Sequence, residues 1–175
     1  YSSACHAEKR TMQTAAPPQP HPVPADEDER LRDLATYDIH GTAPEADYDH
    51  VARLAADLFG VPIALVNLVG GDSVWVKARV GLDVCEVPRG VAFCAHAIMG
   101  DGPLVVPDLS ADPRFSDNPL VAGGPRMRFY AGAPLTTPRG RKIGTLCPLD
   151  TRPRPALTGE QERTLSHLAR LVVDR

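Results

Sequence analysis

Between Phe93 and Ile98 the chain reads FCAHAI, a thiol and an imidazole two residues apart in an otherwise apolar run. Such a pair is raw material for a nucleophile and its base, for a metal site or for haem ligation. Spacing decides among these. The surrounding Val91 to Met99 reads as a short helix, in which residues two apart project about 200° from one another, so they neither chelate one metal nor exchange a proton. Cys94 then shares a face with Ala97 and Ile98, and His96 shares another with Phe93. A free cysteine in this setting is normally a small buried hydrophobe. His96 reads first as a structural tie between helix and loop, second as a polar contact in a pocket, and third as a haem ligand.

Other reactive residues are dispersed. Cys85 sits in a loop with Glu86 and Arg89 but without a neighbouring histidine, and Cys147, beside Leu146, reads as core. Cys5, Cys85, Cys94 and Cys147 include no C-x-x-C pair, which indicates neither a zinc ribbon nor a disulfide framework. Arg126, Arg128, Arg139, Arg141 and Lys142 form a basic cluster, with Arg152 and Arg154 close behind. It is either a solvated, salt-bridged edge or a site for an anion. Alternation along RMRFYAG puts Arg126, Arg128 and Tyr130 on one side, so an anionic ligand follows if that side faces a pocket; Asp108, Asp112 and Asp117 are the competing partners. There is no phosphate loop, G-x-S-x-G, or kinase or cyclase motif, so no output activity is expected from these residues.

The bulk numbers bound the class. A chain of 175 residues, 43% of them hydrophobic, supports one core and a tail. A net charge of -3 and a pI near 6.1 argue against nucleic acid and membrane surfaces as partners. No apolar run approaches the roughly 20 residues that span a bilayer, and the N-terminus lacks a secretory layout, so a cytoplasmic protein is expected. The 18 prolines and the 5% aromatic content point to an aliphatic sheet joined by rigid turns.

Residues 1–25, rich in small residues and proline, read as a disordered leader. A short helix follows, with a thin stripe of Leu31, Leu34 and Ile39. A second helix opens at Thr42 and Pro44, carries Tyr48, Val51, Leu54, Ala55 and Leu58, and closes at Gly60. VPIALVNLV reads as a strand covered on both faces. VWVKARVG then alternates Val74, Val76, Ala78 and Val80, buried, against a wetter Trp75, Lys77 and Arg79. After the FCAHAI helix come the short strand PLVVPDL, a long Asp/Pro-rich loop, two strands around TPRGRK, and a last helix with Thr158 and Gln161 as a capping box.

LAADLFGVPIALVNLV, WVKARVGLD, FCAHAI, PLVVPDLSADPRFSDNPLV, RFYAGAPL and IGTLCPLDTRPR together resemble a GAF domain over about residues 26–175. The resemblance is to the bacterial sensor subfamily found with diguanylate cyclase, histidine kinase or phosphatase modules. It implies an α+β, GAF/PAS-like fold: a central antiparallel sheet, a dimerising helical layer on one side, and a short helix plus long loop roofing a pocket on the other. Pocket contacts are then expected from Phe93, Cys94 and His96 on the helix, Asp108 and Phe115 in the loop, and Arg128 and Tyr130 on the next strand. Two positions depart from similar sequences. Ala92 replaces a capping Ser or Thr, and Pro148 falls within a strand, which predicts an edge or a bulge there.

The cyclic-nucleotide pattern of other GAF domains, the adjacent Cys-His of bilin attachment and the cysteine layout of free methionine sulfoxide reductase are all absent. The expectation is a non-enzymatic sensory domain that binds a small molecule and acts as a homodimer on an output domain or partner, with no cofactor. The alternative is a haem-binding or thiol-redox protein, a small enzyme or gas sensor, that uses the same pocket.

Overall fold

The computed structural model describes residues 20–39, 42 and 45–174. Most of the expected leader and Pro44 lie outside them. Helix α1 (Glu27–Thr36) puts Glu27, Asp28 and Glu29 in its first turn, where they oppose the helix dipole favourably. Its inward face is polar: Arg30, Asp33 and Leu34 are the buried residues. The thin apolar stripe is therefore supplemented by ion pairs and hydrogen bonds. Helix α2 (Ala46–Phe59) starts after Thr42 and ends at Gly60, whose φ of 61° is the left-handed conformation that favours glycine.

Strands β1 (Ile63–Val69), β2 (Ser73–Val80), β3 (Glu86–Pro88), β4 (Leu104–Val106), β5 (Phe129–Thr136) and β6 (Lys142–Asp150) form one sheet in the order β3-β2-β1-β6-β5-β4. Every pairing is antiparallel. β1 is buried at every position, as its unbroken apolar sequence requires. Helix α3 (Cys94–Ala97) follows a 3-10 turn at Arg89–Val91, and α4 (Pro119–Ala122) lies within the long loop. Helix α5 (Gly159–Val173) begins with the expected capping box of Thr158 and Gln161.

The sheet separates two cores. Ala64, Val66 and Leu68 point to the side of α1, α2 and α5, where they meet Ala52, Ala55, Leu165 and Ala169. Ile63, Leu65 and Val69 point to the side roofed by α3 and the loop, where they meet Phe93, Ile98, Leu109 and Phe115.

Several expectations are corrected. β2 does not alternate regularly, because the β1–β2 register shifts between Val66 and Asn67. Val74 and Val76 face the roofed core, whereas Trp75 and Ala78 pack with the helical core. Lys77, expected to be wet, is 1% exposed and donates to Thr42 Oγ1 at 2.6 Å and to Glu45 at 2.9 Å. The buried face of α2 is Tyr48, Ala52, Ala55 and Ala56, leaving Leu54 and Leu58 exposed. Pro148 lies in a central strand opposite Ala64 of β1, and the β5–β6 ladder is interrupted between Tyr130↔Leu149 and Ala133↔Leu146. The missing N–H is thus absorbed by a gap in one ladder, with no edge or bulge at the proline.

Candidate functional site

β1 and β6 form the floor of a cavity of about 50 Å³ between the sheet and its roof. Leu65 and Asn67 contribute from β1, Cys147 and Leu149 from β6, and Tyr130 from β5. The alternation of each strand sends these side chains to the roofed face, since Leu65 opposes Cys147 and Asn67 opposes Thr145 in the β1–β6 register. The walls are Ala92, Phe93 and Cys94, and Leu82, Leu120, Pro125 and Met127 contribute from loops and α4.

Phe93 fixes the wall. Its ring meets Phe115 at 5.4 Å and Tyr130 at 5.5 Å, both edge to face, which joins α3, the loop and β5 in one aromatic cluster. The Tyr130 ring crosses Gly132 so closely that a Cβ there would stand 2.1 Å from the phenol oxygen. Only glycine permits that approach.

The floor carries polar groups without partners. Asn67 Nδ2 donates to Cys147 Sγ at 3.3 Å, while Asn67 Oδ1, the Tyr130 hydroxyl and Thr145 Oγ1 are buried and, among the described residues, unbonded. Thr145 lies beside both Tyr130 and Cys147, but not in hydrogen-bond geometry. Burial pushes the Cys94 thiol up to about 12, and it raises Cys147 and Tyr130 well above their ordinary values. All three groups are neutral at pH 7.

Of the residues expected to line the pocket, Phe93, Cys94 and Tyr130 do so. Phe115 stands behind Phe93 and supports the wall. His96, Asp108 and Arg128 lie outside the cavity lining. His96 turns its ring onto Phe115 at 4.8 Å, and desolvation, followed by Arg114, lowers its pKa. Asp108 accepts from the Ser110 backbone N–H and hydroxyl and so closes a local turn. Arg128 precedes β5, so strand alternation does not reach it; its guanidinium donates to the Val121 and Met127 carbonyls, each at 2.9 Å. Four other members of the basic cluster are ion-paired, at Arg139–Asp33, Arg141–Asp26, Lys142–Asp101 and Arg154–Asp150. Asp112 also stays local, paired with Arg114. The loop thiol considered at Cys85 is buried and disulfide-bonded. Asn67 and Cys147 were missed as lining residues, although Asn67 is the one polar residue of IALVNLV.

A second site feature arises from residues far apart in sequence. Arg30 and Arg89, each 1% exposed, converge on Glu27. Arg30 also donates to the Val69 carbonyl at 2.7 Å, and Arg89 to the Gly70 carbonyl at 3.0 Å. Burial pushes the Glu27 carboxyl up, but its hydrogen bonds to Arg30 and Arg89 and their charges outweigh this and bring it down to about 2. The cluster ties α1 to the β1–β2 turn and to the 3-10 turn that leads into the cavity wall. Asn118 adds a tie from the other end, donating to the Val91 carbonyl at 3.0 Å while capping α4.

The GAF domain model matches residues 43–173. A cyclic di-GMP phosphodiesterase of Pseudomonas aeruginosa is 40% identical over 154 residues, which is 88% of this chain but 26% of that relative's length. The GAF domain of a phosphoenolpyruvate-protein phosphotransferase from Coxiella burnetii aligns with a TM-score of 0.62 at 15% identity, over 83% of this chain and 89% of that one. The free methionine-R-sulfoxide reductase of Neisseria meningitidis, in complex with its substrate, aligns with a TM-score of 0.58 at 25% identity, over 74% and 75% of the two chains. The antiparallel sheet, its helical layer and the roof over the opposite face agree with a family match well beyond half the sequence, and the chain belongs to the GAF domain family.

Proposed function

We propose that residues 26–175 form a sensory domain of a bacterial signalling protein, acting in the cytoplasm. A small molecule would enter the cavity between sheet and roof, and the helical layer would carry the response to a second copy of the domain. One arrangement carries this reading: the cavity wall is joined through Arg89 and Glu27 to α1, which packs on the opposite face of the sheet. A ligand that favours one position of the wall thereby biases α1, which is a population shift between two packings. The likeness to a cyclic di-GMP phosphodiesterase supports a second-messenger enzyme as the output under control.

The cavity geometry limits the ligand. At about 50 Å³ it falls well below the few hundred Å³ that hold a drug-sized ligand, so neither haem nor a cyclic dinucleotide fits the closed form. A thiol-redox role is also poorly supported, because burial keeps Cys94 and Cys147 protonated and unreactive.

A thermal-shift screen with a metabolite library tests the reading, using Ala92→Ile as the control. Ala92 lines the cavity with φ -80° and ψ 126°, a backbone conformation that a β-branched residue accepts. Isoleucine there fills the space. Compounds that stabilise the wild-type chain but not Ala92→Ile support the proposal. No stabilising compound, or equal stabilisation of both chains, contradicts it.

A further inference from the structure

We propose that the buried end of the cavity receives an uncharged group that both donates and accepts hydrogen bonds, a carboxamide or a hydroxyl, carried on a compact apolar body. This deepens the sensory reading and rests on it. Three observations converge on that chemistry.

The first is the absence of charge. Among the described residues, none that lines the cavity is acidic, basic or a histidine. An ion entering there would lose its water and meet no counter-charge, a cost that excludes most charged metabolites. The thiols do not alter this, since both stay protonated.

The second is the unpartnered floor. Asn67 and Tyr130 line the cavity and are more than nine-tenths buried, yet Asn67 Oδ1 and the Tyr130 hydroxyl have no hydrogen-bond partner among the described residues. Thr145, fully buried, stands opposite Asn67 with its hydroxyl also unbonded. A carboxamide has one accepting and one donating end, and whichever end of Asn67 meets Cys147, the other is left over. Hydroxyls donate and accept alike. The complementary ligand group must therefore do both.

The third is size. A volume of about 50 Å³ holds a few waters or a group of roughly four or five non-hydrogen atoms. A longer ligand would place its remainder beside Leu82 and Pro125, lining residues that are only partly buried.

Acetamide, acetone and acetate have the same number of non-hydrogen atoms and differ in one property each, so they serve as probes. Each is titrated into the isotope-labelled chain while the backbone amide signals of Asn67, Ala92, Tyr130 and Thr145 are followed. Acetamide is expected to give saturable shifts at millimolar concentration, acetone to bind about tenfold more weakly for lack of a donor, and acetate to give none. Asn67→Leu should reduce acetamide binding to the level of acetone while leaving acetone unchanged. Tyr130→Phe should weaken acetamide several-fold, and provides the same check if Asn67→Leu fails to fold.

Acetate binding as tightly as acetamide overturns the inference, as does acetone matching acetamide in the wild-type chain. Silence from all three overturns it too, with water then satisfying the floor. These outcomes are separable from failure of the sensory reading. A charged compound that stabilises the wild-type chain but not Ala92→Ile would leave that reading intact while removing this one.

Discussion

Tyr130 combines tight packing with a polar group that the proposed ligand would meet. Its ring fits over Gly132 and against Phe93, while its hydroxyl is buried without a partner. An unpaired buried hydroxyl costs about 1–3 kcal/mol. Tyr130→Phe should therefore leave the ligand-free melting temperature unchanged or raise it by about 3 °C; a drop of several degrees would show that the hydroxyl is satisfied in the native state. Glu27 is the opposite case, a fully engaged carboxylate. Because its folded pKa lies near 2, below the ordinary 4.5, its contribution is present above pH 4.5 and is lost as pH falls towards 2. Glu27→Gln should flatten that acid limb in urea denaturation, and at pH 7 it should cost about 3 kcal/mol by leaving two buried guanidiniums without a counter-charge. An unchanged acid limb would contradict the assignment. Phe93, Cys94 and Tyr130 stand in the cavity lining, where the family resemblance placed them, although helical spacing alone put Phe93 and Cys94 on different faces. The Glu27–Arg30–Arg89 cluster was not legible in the sequence, since 62 residues separate Glu27 from Arg89 and no local pattern marks a long-range ion pair.

At the level of elements, the roof is a set of short pieces held by side chains. Residues 111–125 read as one loop, but Asn118 caps α4 and Phe115 inserts behind Phe93, and just ahead of them Asp108 closes a 3-10 turn. Phe115→Ala should cost about 3–5 kcal/mol and release amide protection across residues 108–122. Protection lost equally over the whole chain would mean that the roof does not open as a unit. Helix α5 followed its sequence closely, with both its capping box and its buried stripe of Leu165, Leu168, Ala169 and Val172 as read. Helix α2 did not. Its larger leucines point outward because Ala52, Ala55 and Ala56 let it lie close on the sheet, a choice that hydrophobic periodicity does not reveal. Pro148 also misled, since a ladder gap in a central strand has the same sequence signature as an edge.

For the whole molecule, two surfaces matter: the roof over the cavity and the helical layer behind the sheet. Leu54, Leu58 and Leu171 are each about half exposed on α2 and α5, which pack together. If this layer pairs two copies, Leu58→Glu with Leu171→Glu should convert a dimer into a monomer in analytical ultracentrifugation while leaving the cavity unchanged. A wild-type chain that is already monomeric at high concentration would remove the dimer from the account. Hydrogen exchange tests whether the proposed coupling joins the two surfaces. The wild-type chain is compared with and without a compound that stabilises it but not Ala92→Ile. Altered exchange is expected at residues 91–99 and 108–122, and also at 27–36 across the sheet, with the distant response abolished in Glu27→Gln. Changes confined to the roof, with 27–36 exchanging as before, would contradict the coupling.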